Sequence, residues 1–212
     1  MSLPIIEDLK NRYSTNKNKL PSEYKEFFAS YIHCIDQLKQ EDISKGDRKF
    51  TYNCFKSPLK KFLEDRAFSA YEEVDLYNPG IKIKILRNGI VKDSLSEYKR
   101  YKPKKNIDLV AVRDSGLKKI IFIEVKMVAG SSYLLHGLFE LGMIDKRKIP
   151  EGYDVYFVLL SAYTDNPEKY GGLFDIYKKT FIAPEDNDRC QFVLLDPKNC
   201  FNEMKFCNEI LA

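Results

Sequence analysis

The stretch IFIEVKM, residues 121–127, has the bulky apolar residues of a buried strand, interrupted by Glu124 and Lys126. Burying either charge alone is costly, so a core strand that carries both needs pairing, a metal or a function. Strand residues two apart point to one face, which puts the two charges together, about 7 Å apart at the backbone. Both lie at the C-terminal end of the strand, where a sheet opens to loops.

The string [Asp/Glu]-x-Lys carries little by itself. The chain has seven copies, at Asp8–Lys10, Glu23–Lys25, Asp47–Lys49, Glu97–Lys99, Glu124–Lys126, Asp196–Lys198 and Glu203–Lys205. Context separates them. Five of the others fall in segments that read as helices or polar loops, and Pro197 closes the strand at Asp196. Only the Glu124 copy has an apolar neighbour strand, NIDLVAV (106–112), joined to it by the polar turn RDSGLK. Two such strands around an Asp-Ser-Gly turn read as a hairpin. In that hairpin Asp108 falls opposite residues 123 to 125 and so beside Glu124. Facing carboxylates repel unless a cation or a proton lies between them. Hard oxygen ligands completed by water are what Mg²⁺ selects. A lysine on the same face can orient a water and neutralise charge on a phosphate.

The rest of the chain supplies a frame. Residues 4 to about 45 read as helical, with Tyr24, Phe27, Phe28, Tyr31, Ile35 and Leu38 at helical spacings, and GDRKFTYNC (46–54) interrupts them. Ser57-Pro58 reads as the start of a second helix with Leu59, Leu63, Ala67, Ala70 and Val74 on one face and Glu64 beside it. After Asn78-Pro79-Gly80, IKIKIL alternates as a half-solvated strand. Beyond the hairpin come a helix from about Ser131, a strand at 154–160, a Gly-interrupted helix, a strand at 191–196 and a closing helix. The expected fold class is α/β: one domain with a mixed central β-sheet flanked by helices. Residues 1–54 form an N-terminal helical extension packed on a core of residues 55–212.

The composition is that of an ordinary soluble protein, 44% hydrophobic and 31% charged, and its net charge of +4 does not imply histone-like binding. The densest cationic run is SEYKRYKPKKN (96–106), a basic loop with Lys99, Arg100, Lys102, Lys104 and Lys105 leading into Asp108. Its cations would stand where a nucleic acid approaches. No apolar run is long enough for a membrane span and no signal peptide is read, so the expectation is a cytoplasmic protein without a membrane partner. The five cysteines, odd in number and without a CxxC pair, read as reduced thiols.

Asp108, fifteen intervening residues and Glu124-Val125-Lys126, on adjacent strands with a helix before and after, resemble the PD-(D/E)XK nuclease superfamily. That superfamily includes type II restriction endonucleases. The resemblance spans about residues 57 to 160 and implies a restriction endonuclease-like core that hydrolyses phosphodiesters with Mg²⁺, Mn²⁺ able to substitute. Asp108 and Glu124 would be the metal carboxylates, the Val125 carbonyl a further ligand, and Lys126 the catalytic lysine. Many members add a glutamate from a preceding helix; Glu64 is the best-placed match, with Glu72 and Glu73 as alternatives. Ile107 replaces the usual proline. His136 and Glu140 stand roughly where the RecB-like branch has Gln and Tyr, and His136 is a candidate substrate contact. The expected function is a Mg²⁺-dependent DNA endonuclease acting on double-stranded DNA, possible as a homodimer. The alternatives are a non-catalytic nucleic-acid-binding or assembly domain of the same fold, and a nuclease for junctions, flaps or RNA.

Overall fold

A computed structural model describes residues 3–38, 48–74, 82–84, 86–87, 90–91, 98–100, 107–198 and 206–212. The hairpin forms as the sequence implies. Strand β6 (Ile107–Arg113) pairs antiparallel with β7 (Lys119–Lys126), from Arg113↔Lys119 to Leu109↔Ile123. β7 is the central strand of a five-stranded mixed sheet. β1 (Ser69–Val74) lies antiparallel on the outer side of β6, while β8 (Asp154–Ser161) and β9 (Cys190–Leu194) continue the sheet parallel to β7.

The alternation of β7 explains its near-uniform apolarity: it is covered on both faces. Ile121, Ile123 and Val125 face a cluster built with three N-terminal helices, α1 (Leu3–Asn16), α2 (Ser22–Asp36) and α3 (Arg48–Glu64). Ile120 and Phe122 face the opposite cluster, under α4 (Ser131–Gly142) and α5 (Pro167–Phe181). Aromatic rings fill the first layer, where Phe27 packs edge-on against Phe55 and Tyr24 stacks on Phe62. Fully burying side chains of this size contributes about 1.5–3 kcal/mol each relative to leaving them exposed. The N-terminal helices thus share one core with the sheet, and α3 runs across residues 54 and 55 without a break.

Three features depart from the sequence reading. The helix expected from Ser57 to Val74 begins at Arg48, runs through Pro58 and stops at Glu64, and residues 69–74 are strand β1. The spacing of Leu59, Leu63, Ala67, Ala70 and Val74 fits a helix, but Phe68 and Ala70 are buried in strand alternation. Pro58 gives up one intrahelical hydrogen bond and α3 absorbs it. The stop is a backbone cap: Phe68 N–H donates to the Leu63 carbonyl at 3.2 Å, with Ala67 at a φ of 62° between them. An alanine in the left-handed region costs about 1–2 kcal/mol, so Ala67→Gly is expected to raise stability by about 1 kcal/mol in a urea titration.

The second departure concerns the alternating strand. Within IKIKIL, Lys82–Lys84 (β2) pairs with Tyr98–Arg100 (β5), and Leu86–Arg87 (β3) pairs with Ile90–Val91 (β4); neither pair belongs to the main sheet. Lys99 and Arg100 therefore lie on a short strand instead of a loop, because the alternating partner at Lys82–Lys84 gives them a ladder. Lys102, Lys104 and Lys105 lie outside the described residues. Third, Cys34 of α2 and Cys54 of α3 are joined in a disulfide, their Cα atoms 5.3 Å apart, where reduced thiols were expected. Helix packing brings the pair together, and nothing in the cysteine count or spacing marks it. Cys190 is a free, buried thiol. No helix among the described residues is long and apolar enough to cross a membrane.

Candidate functional site

The ladder between β6 and β7 ends at Leu109↔Ile123, and one step further Asp108 stands opposite Glu124. There a side chain replaces the backbone acceptor: the Val125 N–H donates to Asp108 Oδ2 at 2.8 Å. This bond pins the Asp108 carboxylate at the strand end beside Glu124. Glu124 is only 2% exposed, and its Oε1 is buried with no hydrogen-bond partner. Burial, first, and then the charge of Asp108 push the Glu124 carboxyl well above the usual range; Lys126 pulls the other way. An unpartnered buried carboxylate oxygen is costly in a folded protein.

Lys126 lies on the same face. Its Nζ is 3.2 Å from Glu124 Oε2 and 2.6 Å from Glu140 Oε2, which reaches down from α4. Burial opposes the charge on Lys126, but the two carboxylates outweigh it and hold the ammonium above its ordinary pKa. At this level the parallel neighbour β8 places Ser161 opposite Lys126, and the buried Ser161 hydroxyl also has no partner.

Helix α3 supplies a second set of groups at the same end of the sheet. Burial, with Asp108 next, raises the phenol of Tyr52, whose buried hydroxyl is directed at that carboxylate. One turn on, Lys56 Nζ lies 4.9 Å above the Tyr52 ring and bridges Glu72 at 2.9 Å and Glu73 at 3.5 Å. The pairs Glu72↔Leu109 and Val74↔Ile107 bracket Glu73, so it sits level with Asp108 across β1 and β6. Glu73 has a φ of 54°, a conformation that costs a non-glycine residue about 1–3 kcal/mol and is concentrated at functional sites.

The structure therefore brings Asp108, Glu124, Val125 and Lys126 together, with Glu73 level with them. It does not bring Glu64. That residue is exposed at the C-terminal end of α3, twelve residues or about 18 Å of helix beyond Tyr52, and α3 leads from there into the opposite end of β1. The helix start, not its end, faces the site, because the strand begins where the helix stops. His136 is exposed on α4, one turn before Glu140. Tyr52 and Lys56 escaped the sequence reading. Their i, i+4 spacing places them on one helix face, but GDRKFTYNC carries no apolar period that reveals the helix.

Two facing carboxylates and the orphaned Glu124 Oε1 fit a hard ion completed by water. Among the described residues no group of three or more His, Cys, Asp or Glu is arranged to hold a metal, so Asp108 and Glu124 would carry it with the Val125 carbonyl. No family model, no curated protein and no solved structure matches this chain.

Proposed function

We propose that this chain is a Mg²⁺-dependent DNA endonuclease of the PD-(D/E)XK type with a restriction endonuclease-like core. The observation that carries this reading is the buried Glu124 carboxylate, one oxygen without a partner, held against Asp108 while Lys126 shares its face. An antiparallel trio of strands followed by a helix and a parallel strand is the frame the resemblance implies.

The residues then have distinct work. Asp108 and Glu124 would hold the cation, and the Val125 N–H keeps Asp108 from rotating away. When bound, a divalent cation supplies an acidified water and neutralises charge on the scissile phosphate. Lys126 faces the same space, where its ammonium orients the attacking water and stabilises a phosphate oxygen. The cations of β5 and the adjoining basic run contact phosphates of the approaching duplex without reading sequence.

The test uses supercoiled plasmid with Mg²⁺. Wild type nicks and linearises it, while Lys126→Ala and Asp108→Asn lower the rate on the order of a hundred- to a thousandfold. Equal cutting by both variants sinks the assignment. Binding of DNA without cleavage, across metals and across duplex, branched and RNA substrates, favours the non-catalytic nucleic-acid-binding domain. Two protein carboxylates with Lys126 closed in ion pairs are also what that domain would present.

A further inference from the structure

The geometry points to Glu140 as the positioning residue of Lys126, seated there by a close approach of α4 that Gly137 permits. The catalytic consequence rests on the nuclease reading; the positioning itself does not. Lys126 has two carboxylate partners, and the shorter contact, 2.6 Å, is to Glu140 and not to its own strand neighbour Glu124 at 3.2 Å. The Lys126 side chain is 11% exposed and that of Glu140 17%, so the pair is largely withdrawn from water. Charge-assisted bonds in such surroundings are strong and directional.

Gly137, one turn before Glu140 on α4, explains how the carboxylate reaches the strand. A Cβ at this position would lie 3.2 Å from Lys126 Cε and would run into the Leu159 side chain of β8. Absence of a side chain lets the helix backbone settle onto β7 and β8, with the Lys126 stem lying under it. Leu134, Leu138 and Leu141 of α4 are buried in the same layer and fix the helix rotation. Glu140 therefore approaches Lys126 from a rigid element, across a sequence separation of 14 residues. With Glu140 in place the ammonium is held over Glu124; without it, the four-carbon stem can turn the charge elsewhere. Glu140 touches neither metal nor phosphate in this role and acts through the lysine.

The experiment reads lysine position directly. The folded full-length chain is acetylated briefly with acetic anhydride, and the modification of each lysine is followed by peptide mass spectrometry. Lys118 is exposed and serves as the fast reference, and buried Lys119 reports loss of the fold. Wild-type Lys126 labels slowly. Glu140→Gln, which keeps size and removes charge, is expected to raise Lys126 labelling severalfold relative to Lys118 while Lys119 stays slow. On plasmid DNA the same variant is expected to lose kcat on the order of ten- to a hundredfold with KM little changed, the cost of a misplaced group. Glu140→Asp restores part of both and is the variant to read if Glu140→Gln exposes Lys119.

Unchanged Lys126 labelling in Glu140→Gln overturns the proposal, and freed labelling beside a full kcat overturns its catalytic consequence. If wild type cuts no DNA but Lys126 labelling still rises in the variant, the positioning stands and the nuclease reading falls.

Discussion

Arg12→Ala is expected to destabilise the protein by about 3–5 kcal/mol, lowering the melting temperature by about 10 °C. Arg12 of α1 carries its guanidinium into the C-terminal ends of β8 and β9. It lies 2.7 Å from the wholly buried Asp196, donates to the Thr164 carbonyl at 2.8 Å and stacks 4.2 Å from the Tyr163 ring centroid. The Tyr163 hydroxyl in turn donates to Asp8, which sits 2.7 Å from the same guanidinium. Removing the cation leaves Asp196 charged in the core, which costs far more than the pair contributes. The variant Arg12→Leu combined with Asp196→Asn is therefore expected to recover much of the loss. Thermal melts of the three proteins check this, and a single-variant loss below about 1 kcal/mol, the range of an exposed pair, would refute it.

Asp196 and Glu124 make an instructive pair, because both are buried carboxylates of the [Asp/Glu]-x-Lys string. Asp196 has its charge matched by Arg12 and accepts the Lys198 N–H at 2.8 Å. Glu124 shares its lysine with another carboxylate, faces Asp108 and keeps one oxygen without a partner. Each site leaves a buried polar atom without a partner, Arg12 Nε in one and Glu124 Oε1 in the other, so what separates them is charge: Asp196 lies against a guanidinium, whereas Glu124 faces a second carboxylate and shares its lysine with Glu140.

The sequence made the hairpin legible because strand period, apolarity and a polar turn all agreed over residues 106–127. The strands at β8 and β9 and the helix α4 were legible for the same reason. Between residues 57 and 74 two periods fit the same apolar residues, and the choice fell to a cap at Ala67 that uses backbone atoms rather than a glycine. That one ambiguity carried Glu64 with it, since a helix that ends earlier turns Glu64 away and brings Glu72 and Glu73 toward the site on a strand. Contacts between remote segments left no local trace. Arg12 meets Asp196 across 184 residues, and Glu140 meets Lys126 from a neighbouring helix. Three-dimensional packing alone decides which of many charged residues become partners.

Glu124→Gln is expected to abolish cleavage, on the order of a thousandfold, and at the same time to make the metal-free protein more stable, by about 2–6 °C. The two effects have one cause. The carboxylate that would bind the cation is a burden to the empty fold, because burial and Asp108 both oppose its charge. Glutamine keeps the shape, removes the repulsion with Asp108 and leaves Lys126 paired with Glu140. The pH dependence has a definite sign. A carboxyl whose pKa is raised on folding holds its proton in the native state to higher pH than the unfolded chain, which titrates near 4.3. Stability is therefore lost as pH rises from that unfolded value toward the folded one. In a chelator, the variant's advantage should widen as pH rises above that unfolded value, because glutamine does not titrate. Added Mg²⁺ should then raise the melting point of wild type and not of the variant, since only a site that binds the ion gains by mass action. A Glu124→Gln protein that melts several degrees below wild type at pH 8 in chelator would mean that Glu124 is a satisfied structural partner of Lys126, and the metal assignment would go with it.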